Sequence, residues 1–283
     1  MTVPTIALNN GVEIPQLGFG VFQIKPADTA AAVTAALDAG YRHIDTAEMY
    51  GNEKQVGDAI AAYDIDPAEV FVTSKLNNGF HAYDDAQRAL DQSLADLQRE
   101  QIDLFLIHWP LPEVGFDDAW RALEKGYADG KVRAIGVSNF QPHHLRHLHE
   151  EFTIRPAVNQ IEVHPYLTQA DLLAFDAGHE IATEAWSPIA QGLVLTDPVI
   201  GEIAGRVGRS AAQVVLRWHI QLGNIVFPKS LKPARMAENF AIFDFDLAPE
   251  DMDAIATLDT GASLFFDHRD PAMVTWLGGR RVD

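Results

Sequence analysis

The chain has 283 residues and no cysteine, and it is 47% hydrophobic and 22% charged, which is the balance of a soluble globular protein. Its 40 acidic and 21 basic residues give a net charge of −19, so the surface as a whole repels nucleic acid and anionic lipid. No basic region followed by a long apolar core opens the sequence, and no run approaches the roughly 18 apolar residues of a membrane span, which together predict a cytoplasmic protein with neither nucleic acid nor membrane as a partner.

The first predicted element is a small β-hairpin, in which two strand-like runs flank Asn9, Asn10 and Gly11. These residues tolerate the positive φ angles of a tight turn. After the hairpin, eight short apolar runs alternate with segments of helical periodicity. The predicted strands lie at 17–20, 43–45, 70–75, 103–108, 133–138, 157–162, 180–186 and 224–229, and the clearest helical patterns cover 27–40, 84–98 and 210–223.

Apolar strands that alternate with helices predict a parallel sheet that is covered on both faces. Eight such units in a chain of this length match a (β/α)8 TIM barrel, and the absence of a Pro-, Gly- or Ser-rich linker predicts one domain over residues 1–283. A doubly wound sheet stays open as an alternative, because periodicity does not reveal closure. Its G-x-G-x-x-G fingerprint is missing, and "GFGVF" at 18–22 is only a fragment of one.

In a barrel, functional residues gather at the C-terminal ends of the strands. That rule selects Asp45, Lys75 and His108 on consecutive strands, with Tyr50 five residues after the aspartate. Tyrosine needs a nearby cation to act as an acid at neutral pH, which Lys75 could supply while Asp45 balances the lysine charge. His108 could hydrogen-bond and orient a substrate oxygen. Any one of these residues alone is more often a solvated loop residue, but their convergence predicts a general acid for a developing alkoxide.

A cluster of cations follows the last predicted strand, in "FPKSLKPAR". Lys229, Ser230, Lys232 and Arg235 place three positive charges and a hydroxyl at a predicted helix start, which suits a phosphate group. A solvated basic helix start explains the composition equally well. The strongly acidic background favours the phosphate interpretation, because an anionic ligand must be captured locally against the global field.

Several long segments resemble the aldo-keto reductases, in particular the bacterial branch with the 2,5-diketo-gluconate reductases and the prostaglandin F synthases. They are "GYRHIDTA" with "YGNE", "SK", "LIHWP", "IGVSNF", "PAVNQIEVHP" and "FPKSLKPARMAENFAIFDFDL", and they span residues 17–247. The resemblance implies a barrel that reduces aldehydes, ketones or α-dicarbonyls by hydride transfer from NADPH. It also implies a monomer, with Asp45, Tyr50, Lys75 and His108 as the catalytic residues and Tyr50 as the proton donor.

The resemblance also implies how NADPH is held. Lys229, Ser230 and Arg235 fall where the family binds the 2′-phosphate, and Glu238 and Asn239 where it binds adenine. The residues that fall around the nicotinamide are Ser138, Asn139, Gln160, Trp186 and Ser187. On its own pattern Trp186 would be a core residue.

The substrate pocket departs from many relatives. Phe22 and Asn77 stand where tryptophan or another bulky aromatic is frequent, which indicates a wider or more polar pocket. Met49, His108 and Trp109 are further pocket candidates, and Trp276 in the C-terminal tail is another.

Two alternatives stay open from the sequence, and a metal site is weighed and set aside. The pair Glu162 and Glu184 could serve a barrel glycosidase, and the same scaffold could be a catalytically weak NADPH sensor. His143 and His147 lie one helical turn apart but supply only two ligands, so no metal site is predicted.

Overall fold

Eight parallel strands form one sheet, in which the strands lie side by side in the order in which they occur along the chain. The computed structural model describes residues 3–112, 114–268, 270, 272 and 276. The eight strands are β3 (Phe19–Gly20), β4 (His43–Asp45), β5 (Phe71–Leu76), β6 (Ile102–Ile107), β7 (Val132–Ser138), β8 (Val158–Glu162), β9 (Ala182–Trp186) and β10 (Ile225–Val226). A doubly wound sheet reverses its strand order, so the sequential order excludes that alternative.

The two edges of the sheet meet at Leu17 and Val226, which form a parallel bridge. The Gly18 amide donates to the Val226 carbonyl at 2.7 Å, and the Val226 amide donates to the Gln16 carbonyl at 3.0 Å. The sheet therefore curls back on itself, and the predicted (β/α)8 barrel is confirmed.

Glycine is required at this seam because the strands and their neighbours approach closely. A Cβ atom on Gly18 would lie 2.7 Å from the His43 ring, and one on Gly20 would lie 2.7 Å from the Phe227 carbonyl. The glycines of "GFGVF" therefore allow the close packing that the barrel needs where it closes.

Ten helices are described, and most of them cover the outside of the barrel. They are α1 (Pro26–Asp38), α2 (Glu53–Ala62), α3 (Tyr83–Asp96), α4 (Asp117–Ala128), α5 (Pro142–Glu151), α6 (Ala170–Gly178), α7 (Pro198–Val207), α8 (Ala211–Gln221), α9 (Pro233–Phe240) and α10 (Pro249–Ala256). In α3 the buried side chains are Ala86, Ala89, Leu90 and Ser93, which recur at the spacing of one helical face. Ser210 and Gln213 form a capping box that fixes the start of α8.

The predicted hairpin is present as β1 (Thr5–Ala7) and β2 (Glu13–Pro15), which pair antiparallel. Gly11 takes the positive φ of 83° that the turn requires. Ile14 packs with Leu104, Val158 and Ile225 at the N-terminal end of the barrel. The hairpin therefore covers that end and leaves the opposite rim for a site.

The last predicted strand is longer in the sequence pattern than in the structure. The apolar run at 224–229 predicts a strand of six residues, but β10 ends at Val226. Pro228 has no amide hydrogen to continue the ladder, which accounts for the difference.

Within the described residues, no helix combines the length and the apolar character needed to cross a membrane.

Candidate active site

Lys75 is the centre of a buried cluster at the C-terminal rim of the barrel. Its Nζ atom donates to both carboxylate oxygens of Asp45, at 3.0 and 2.9 Å, and to the Thr46 carbonyl at 2.7 Å. The same atom lies 3.4 Å from the Tyr50 hydroxyl. Asp45 ends β4 and Lys75 is the penultimate residue of β5, so parallel pairing of these strands brings the two charges together.

Tyr50 reaches this cluster because the chain turns sharply after β4. It ends a short 3-10 helix, Glu48–Tyr50, and Gly51 then takes a left-handed conformation with φ 66°. Asn52 clamps the turn, since its amide donates to the carbonyls of Val21 and Ile24 and its oxygen accepts from Thr46. Gly51 and Asn52 therefore hold Tyr50 in place above the strand ends.

The charge state of this cluster follows from burial and contact. Burial raises the pKa of Tyr50 to about 12, while the Lys75 ammonium opposes the rise. Burial by itself lowers the pKa of Lys75, but the acidic groups around it, Asp45 first and then Tyr50 and Glu184, together outweigh burial and leave the pKa above its usual value. Tyr50 is thus a neutral phenol beside a cation at neutral pH. The sequence predicted the cation, and the structure adds that burial outweighs its effect on the phenol.

His108 follows β6 and lies beside Tyr50, with the two ring centroids 5.8 Å apart in an edge-to-face arrangement. Burial, aided by the Lys75 charge, holds the pKa of His108 well below its usual value. The imidazole is therefore neutral. Its Nδ1 atom is buried without a hydrogen-bond partner among the described residues, which leaves Nε2 as the nitrogen that can contact a ligand.

A second polar layer lies inside the barrel beneath Lys75. The Gln160 amide donates to Asp45 Oδ2 at 2.8 Å and to Glu184 Oε2 at 2.6 Å. Glu184 is fully buried in the middle of β9 and does not lie at the end of the strand. Both amide hydrogens of Gln160 are committed to carboxyl groups, so its Oε1 atom is the one left to accept from a ligand.

Asn139 connects the ends of three further strands. It has a positive φ of 65°, and its amide donates to Ser138 Oγ at 3.0 Å and to the His108 carbonyl at 3.1 Å. Its Oδ1 atom accepts from Trp186 Nε1 at 2.9 Å. Ser187, next in the chain, also has a positive φ, of 50°. The predicted nicotinamide residues therefore form one connected group at the rim.

The basic cluster lies around the start of α9. Lys229 and Arg235 are exposed, and none of the ion pairs among the described residues includes Lys229, Lys232 or Arg235. The Ser230 hydroxyl accepts from the Lys232 amide at 3.1 Å. Free cations on so acidic a protein are suited to a phosphate group. Farther along α9, Glu238 is half-buried and Asn239 is buried.

Glu162 ties the C-terminal segment to the mouth of the barrel. Its carboxylate accepts from Ser263 Oγ at 2.7 Å and from the Leu264 amide at 3.3 Å, and it contacts Nε2 of His164 at 2.8 Å and of His268 at 2.5 Å. The His268 ring stacks on Trp109, with centroids 5.6 Å apart and planes 8° apart. The segment 263–268 thus covers the tryptophan beside His108.

The remaining predicted pocket residues differ in their exposure and contacts. The Phe22 ring contacts the Tyr50 ring, with centroids 4.9 Å apart, and is 43% exposed. Met49 and Asn77 are half-buried, and the backbone amide of Asn77 donates to Glu48 Oε2 at 3.3 Å. Trp276 is 54% exposed. A pocket role for these side chains stays a prediction.

The histidines of α5 have other partners. His147 Nε2 lies 2.8 Å from Asp117 Oδ1. In the part of the chain that the structure describes, no group of three or more His, Cys, Asp or Glu side chains is placed to hold a metal ion.

Sequence reasoning missed the residues that support the site. Asn52 stands in the sequence only as part of the segment "YGNE", although its side chain holds the loop that carries Tyr50. Glu53 is buried and accepts from Ser74 Oγ at 2.5 Å and Ser93 Oγ at 3.2 Å, which joins α2 to β5 and α3. A glutamate on the buried face of α2 was the available signal. The Thr46 carbonyl that binds Lys75 could not be predicted, because every residue has a backbone oxygen and the side chain does not mark which one is used.

These features define a barrel with an acid–base centre, formed by a tyrosine, a lysine and a histidine, at its C-terminal rim. The model of the aldo/keto reductase family matches residues 16–260. The glyoxal reductase of Bacillus subtilis (strain 168) is 48% identical over 256 residues, which cover 90% of this chain and 92% of that protein.

Solved structures agree with this result. The crystal structure of an aldo/keto reductase from Brucella melitensis superposes with a TM-score of 0.89 and 52% identity, covering 92% of this chain and 99% of that one. The structure of a Bombyx mori aldo-keto reductase in complex with NADP has a TM-score of 0.87 and 35% identity, covering 93% of this chain and 95% of that one. The chain belongs to the aldo/keto reductase family and is an oxidoreductase of that family. The family predicted from the sequence is confirmed, and the glycosidase and sensor alternatives receive no support.

Proposed function

We propose that this protein uses NADPH to reduce small aldehydes, ketones or α-dicarbonyls to alcohols, with Tyr50 as the proton donor. The observation that carries the proposal is the contact of Lys75 Nζ with Asp45 and with the Tyr50 hydroxyl, at 2.9 and 3.4 Å. A phenol held between a buried ammonium and a cleft is suited to protonate an oxygen that gains negative charge.

Each of the four residues has a distinct part. Tyr50, a neutral phenol because its pKa is about 12, holds the proton that the carbonyl oxygen takes up. Lys75 stabilises the phenolate that remains, and Asp45 balances the buried ammonium. Neutral His108 presents Nε2 to the carbonyl oxygen and orients it. NADPH, when bound, supplies the hydride.

The chain's own side chains fit the cofactor. The exposed cations Lys229 and Arg235, with the Ser230 hydroxyl, are suited to the 2′-phosphate that distinguishes NADPH from NADH. Glu238 and Asn239 follow on α9 for the adenine. Around the nicotinamide, Ser138, Asn139 and Gln160 supply amides and a hydroxyl for its carboxamide, Trp186 offers a ring to stack on, and Ser187 lies next to it.

The proposed substrates are small carbonyl compounds, and α-dicarbonyls stand first among them. The similarity to a glyoxal reductase supports this choice. Phe22, Met49, Asn77, His108 and Trp109 form the proposed pocket, to which Asn77 adds a polar side chain. We further propose that residues 1–283 form one catalytic domain, which acts as a monomer in the cytoplasm. Light scattering on a size-exclusion column would test the monomer.

The decisive experiment follows NADPH absorbance with the purified protein and a panel of carbonyl compounds. We expect oxidation of NADPH with methylglyoxal and phenylglyoxal, and much slower oxidation of NADH. Simple ketones and an aryl glycoside complete the panel. If the protein bound NADPH but oxidised it with none of the carbonyl compounds, the result would contradict the proposal and favour a sensor. Hydrolysis of the glycoside would favour a glycosidase that uses Glu162 and Glu184.

A further inference from the structure

Glu184 is a buried carboxyl group that the proposed reaction does not use. It lies in the middle of β9 with no exposed surface, and Gln160 donates to its Oε2 atom at 2.6 Å. Its Oε1 atom is buried without a hydrogen-bond partner among the described residues. A carboxylate in such surroundings is costly unless a cation contacts it.

In the part of the chain that the structure describes, no charged side chain contacts Glu184 as that cation. The ion-pair contacts of Glu184 among the described residues are limited to His43, whose Nε2 atom lies 3.7 Å from Oε1. Burial lowers the pKa of His43 to about 3, and its ring nitrogens contact the Pro15 carbonyl and Thr73 Oγ1 at 3.3 and 3.0 Å. His43 is therefore neutral, and Lys75 directs its hydrogen bonds to Asp45, Thr46 and Tyr50.

We propose that Glu184 is a positioning residue that acts as a neutral carboxylic acid. It holds one amide hydrogen of Gln160 while Asp45 holds the other, so Gln160 Oε1 is turned toward the nicotinamide carboxamide. Its neutrality also keeps a second negative charge away from the Lys75–Asp45 pair beneath Tyr50. This role rests on the proposed function, because it acts through Tyr50 and the bound cofactor.

The direction of the charge effect is set by the surroundings of Glu184. Burial raises the pKa of Glu184 to about 8, the negative charge of Asp45 adds to the rise, and Gln160 and Lys75 oppose it. Below that pH the group is protonated, and above it a new negative charge appears in the barrel. That charge raises the pKa of Tyr50 further, so the phenol becomes a weaker acid. Carbonyl reduction is expected to slow as pH rises through about 8.

The test is the pH dependence of kcat/KM for methylglyoxal reduction in the wild-type protein and in Glu184→Gln. Glutamine keeps an acceptor for Gln160 but cannot ionise. The wild type should lose about three- to tenfold in kcat/KM across the alkaline range, since one pKa unit is a factor of ten in acid strength. Glu184→Gln should be active and lack this inflection.

Glu184→Ala separates the charge from the hydrogen bond. It should also lack the inflection, and it gives the same readout where the glutamine variant does not fold. In addition it should bind NADPH about three- to tenfold more weakly than Glu184→Gln, as the loss of one hydrogen bond implies. Tryptophan fluorescence during NADPH titration measures this difference.

The matched control is Glu162→Gln, which makes the same change in a buried glutamate on the neighbouring strand and should retain the alkaline inflection. An unchanged inflection in Glu184→Gln would overturn the neutral-acid role, as would a folded but inactive Glu184→Gln. Equal NADPH affinities of the Ala and Gln variants would overturn the positioning of Gln160. Failure of the proposed function is seen separately, because the wild type would then not oxidise NADPH with any carbonyl.

Discussion

The proposed catalytic centre around Lys75 and the basic cluster differ in how much of their geometry the protein itself fixes. At the centre, Lys75 is fully buried and its ammonium contacts two side chains and a backbone carbonyl. In the cluster, Lys229 and Arg235 are exposed and belong to none of the ion pairs among the described residues. The groups that would take part in chemistry are held in place by the protein, whereas the groups that would bind phosphate are left free to close around it. Changes at the centre should therefore act on kcat, and changes in the cluster on cofactor affinity.

The largest effect is expected from Tyr50→Phe, which removes the proposed acid and keeps the ring between Phe22 and His108. General acid catalysis contributes about 10²- to 10⁴-fold, so kcat for methylglyoxal should fall by that amount. NADPH affinity should stay within about twofold, because a hydroxyl that makes no lasting contact with the cofactor adds little to its binding. Steady-state kinetics and fluorescence titration measure the two quantities.

The control for this variant is Tyr63→Phe, in which a surface tyrosine loses its hydrogen bond to Asp38. It should keep wild-type kcat. If Tyr50→Phe retained wild-type kcat as well, the proton would come from another group and the comparison between the two regions would lose its basis.

The closeness of the proposed catalytic residues could be predicted, because barrel topology makes consecutive strands neighbours in space, whereas their catalytic roles stay a prediction. Asp45, Lys75 and His108 end or follow neighbouring strands, and the parallel register brings such ends to one rim. The depth of Glu184 could not be predicted in this way. In a barrel covered by helices both faces of a strand are buried. The sequence of β9 therefore does not reveal whether Glu184 points into the barrel or toward the surrounding helices. The contact between Glu162 and His268 joins residues 106 positions apart, and no local pattern marks it.

A smaller and more selective effect is expected from Arg235→Ala in the basic cluster. Loss of a charge-assisted hydrogen bond costs about 1.5–3 kcal/mol, which corresponds to about ten- to a hundredfold in the dissociation constant of NADPH. NADH lacks the 2′-phosphate and should lose much less affinity, and kcat with saturating NADPH should be unchanged. Fluorescence titrations with both cofactors measure the difference.

Arg121→Ala is the matched control, because Arg121 is an exposed arginine that pairs with Asp118 at 2.8 Å. It removes the same charge from the same acidic protein and should leave both affinities unchanged. Equal losses of NADPH and NADH affinity in Arg235→Ala would place this arginine away from the 2′-phosphate. The cluster would then have no role in the choice of cofactor.

The smallest effect is expected at the mouth, where Glu162 holds a covering segment in place and does not touch the reacting groups of the proposed site. Burial raises the pKa of Glu162, but hydrogen bonds with His164, His268 and Ser263 outweigh it and lower the pKa to about 2. A lowered pKa stabilises the fold above the usual value of 4.5, and this contribution is lost as pH falls toward about 2. At neutral pH Glu162 is therefore ionised and its carboxylate can accept all of these hydrogen bonds. The carboxyl group of Glu184, by contrast, is proposed to be protonated.

Glu162→Gln should loosen segment 263–268, because an amide oxygen cannot accept all the hydrogen bonds that the carboxylate accepts. Weakening one of them costs about 0.5–1.5 kcal/mol, so KM for methylglyoxal should rise about two- to tenfold while kcat changes less. Limited proteolysis should cut the C-terminal segment faster. Glu151→Gln, an exposed glutamate at the end of α5, is the control and should change neither. A large loss of kcat with unchanged proteolysis would mean that Glu162 belongs with the catalytic centre and not with the cover of its mouth.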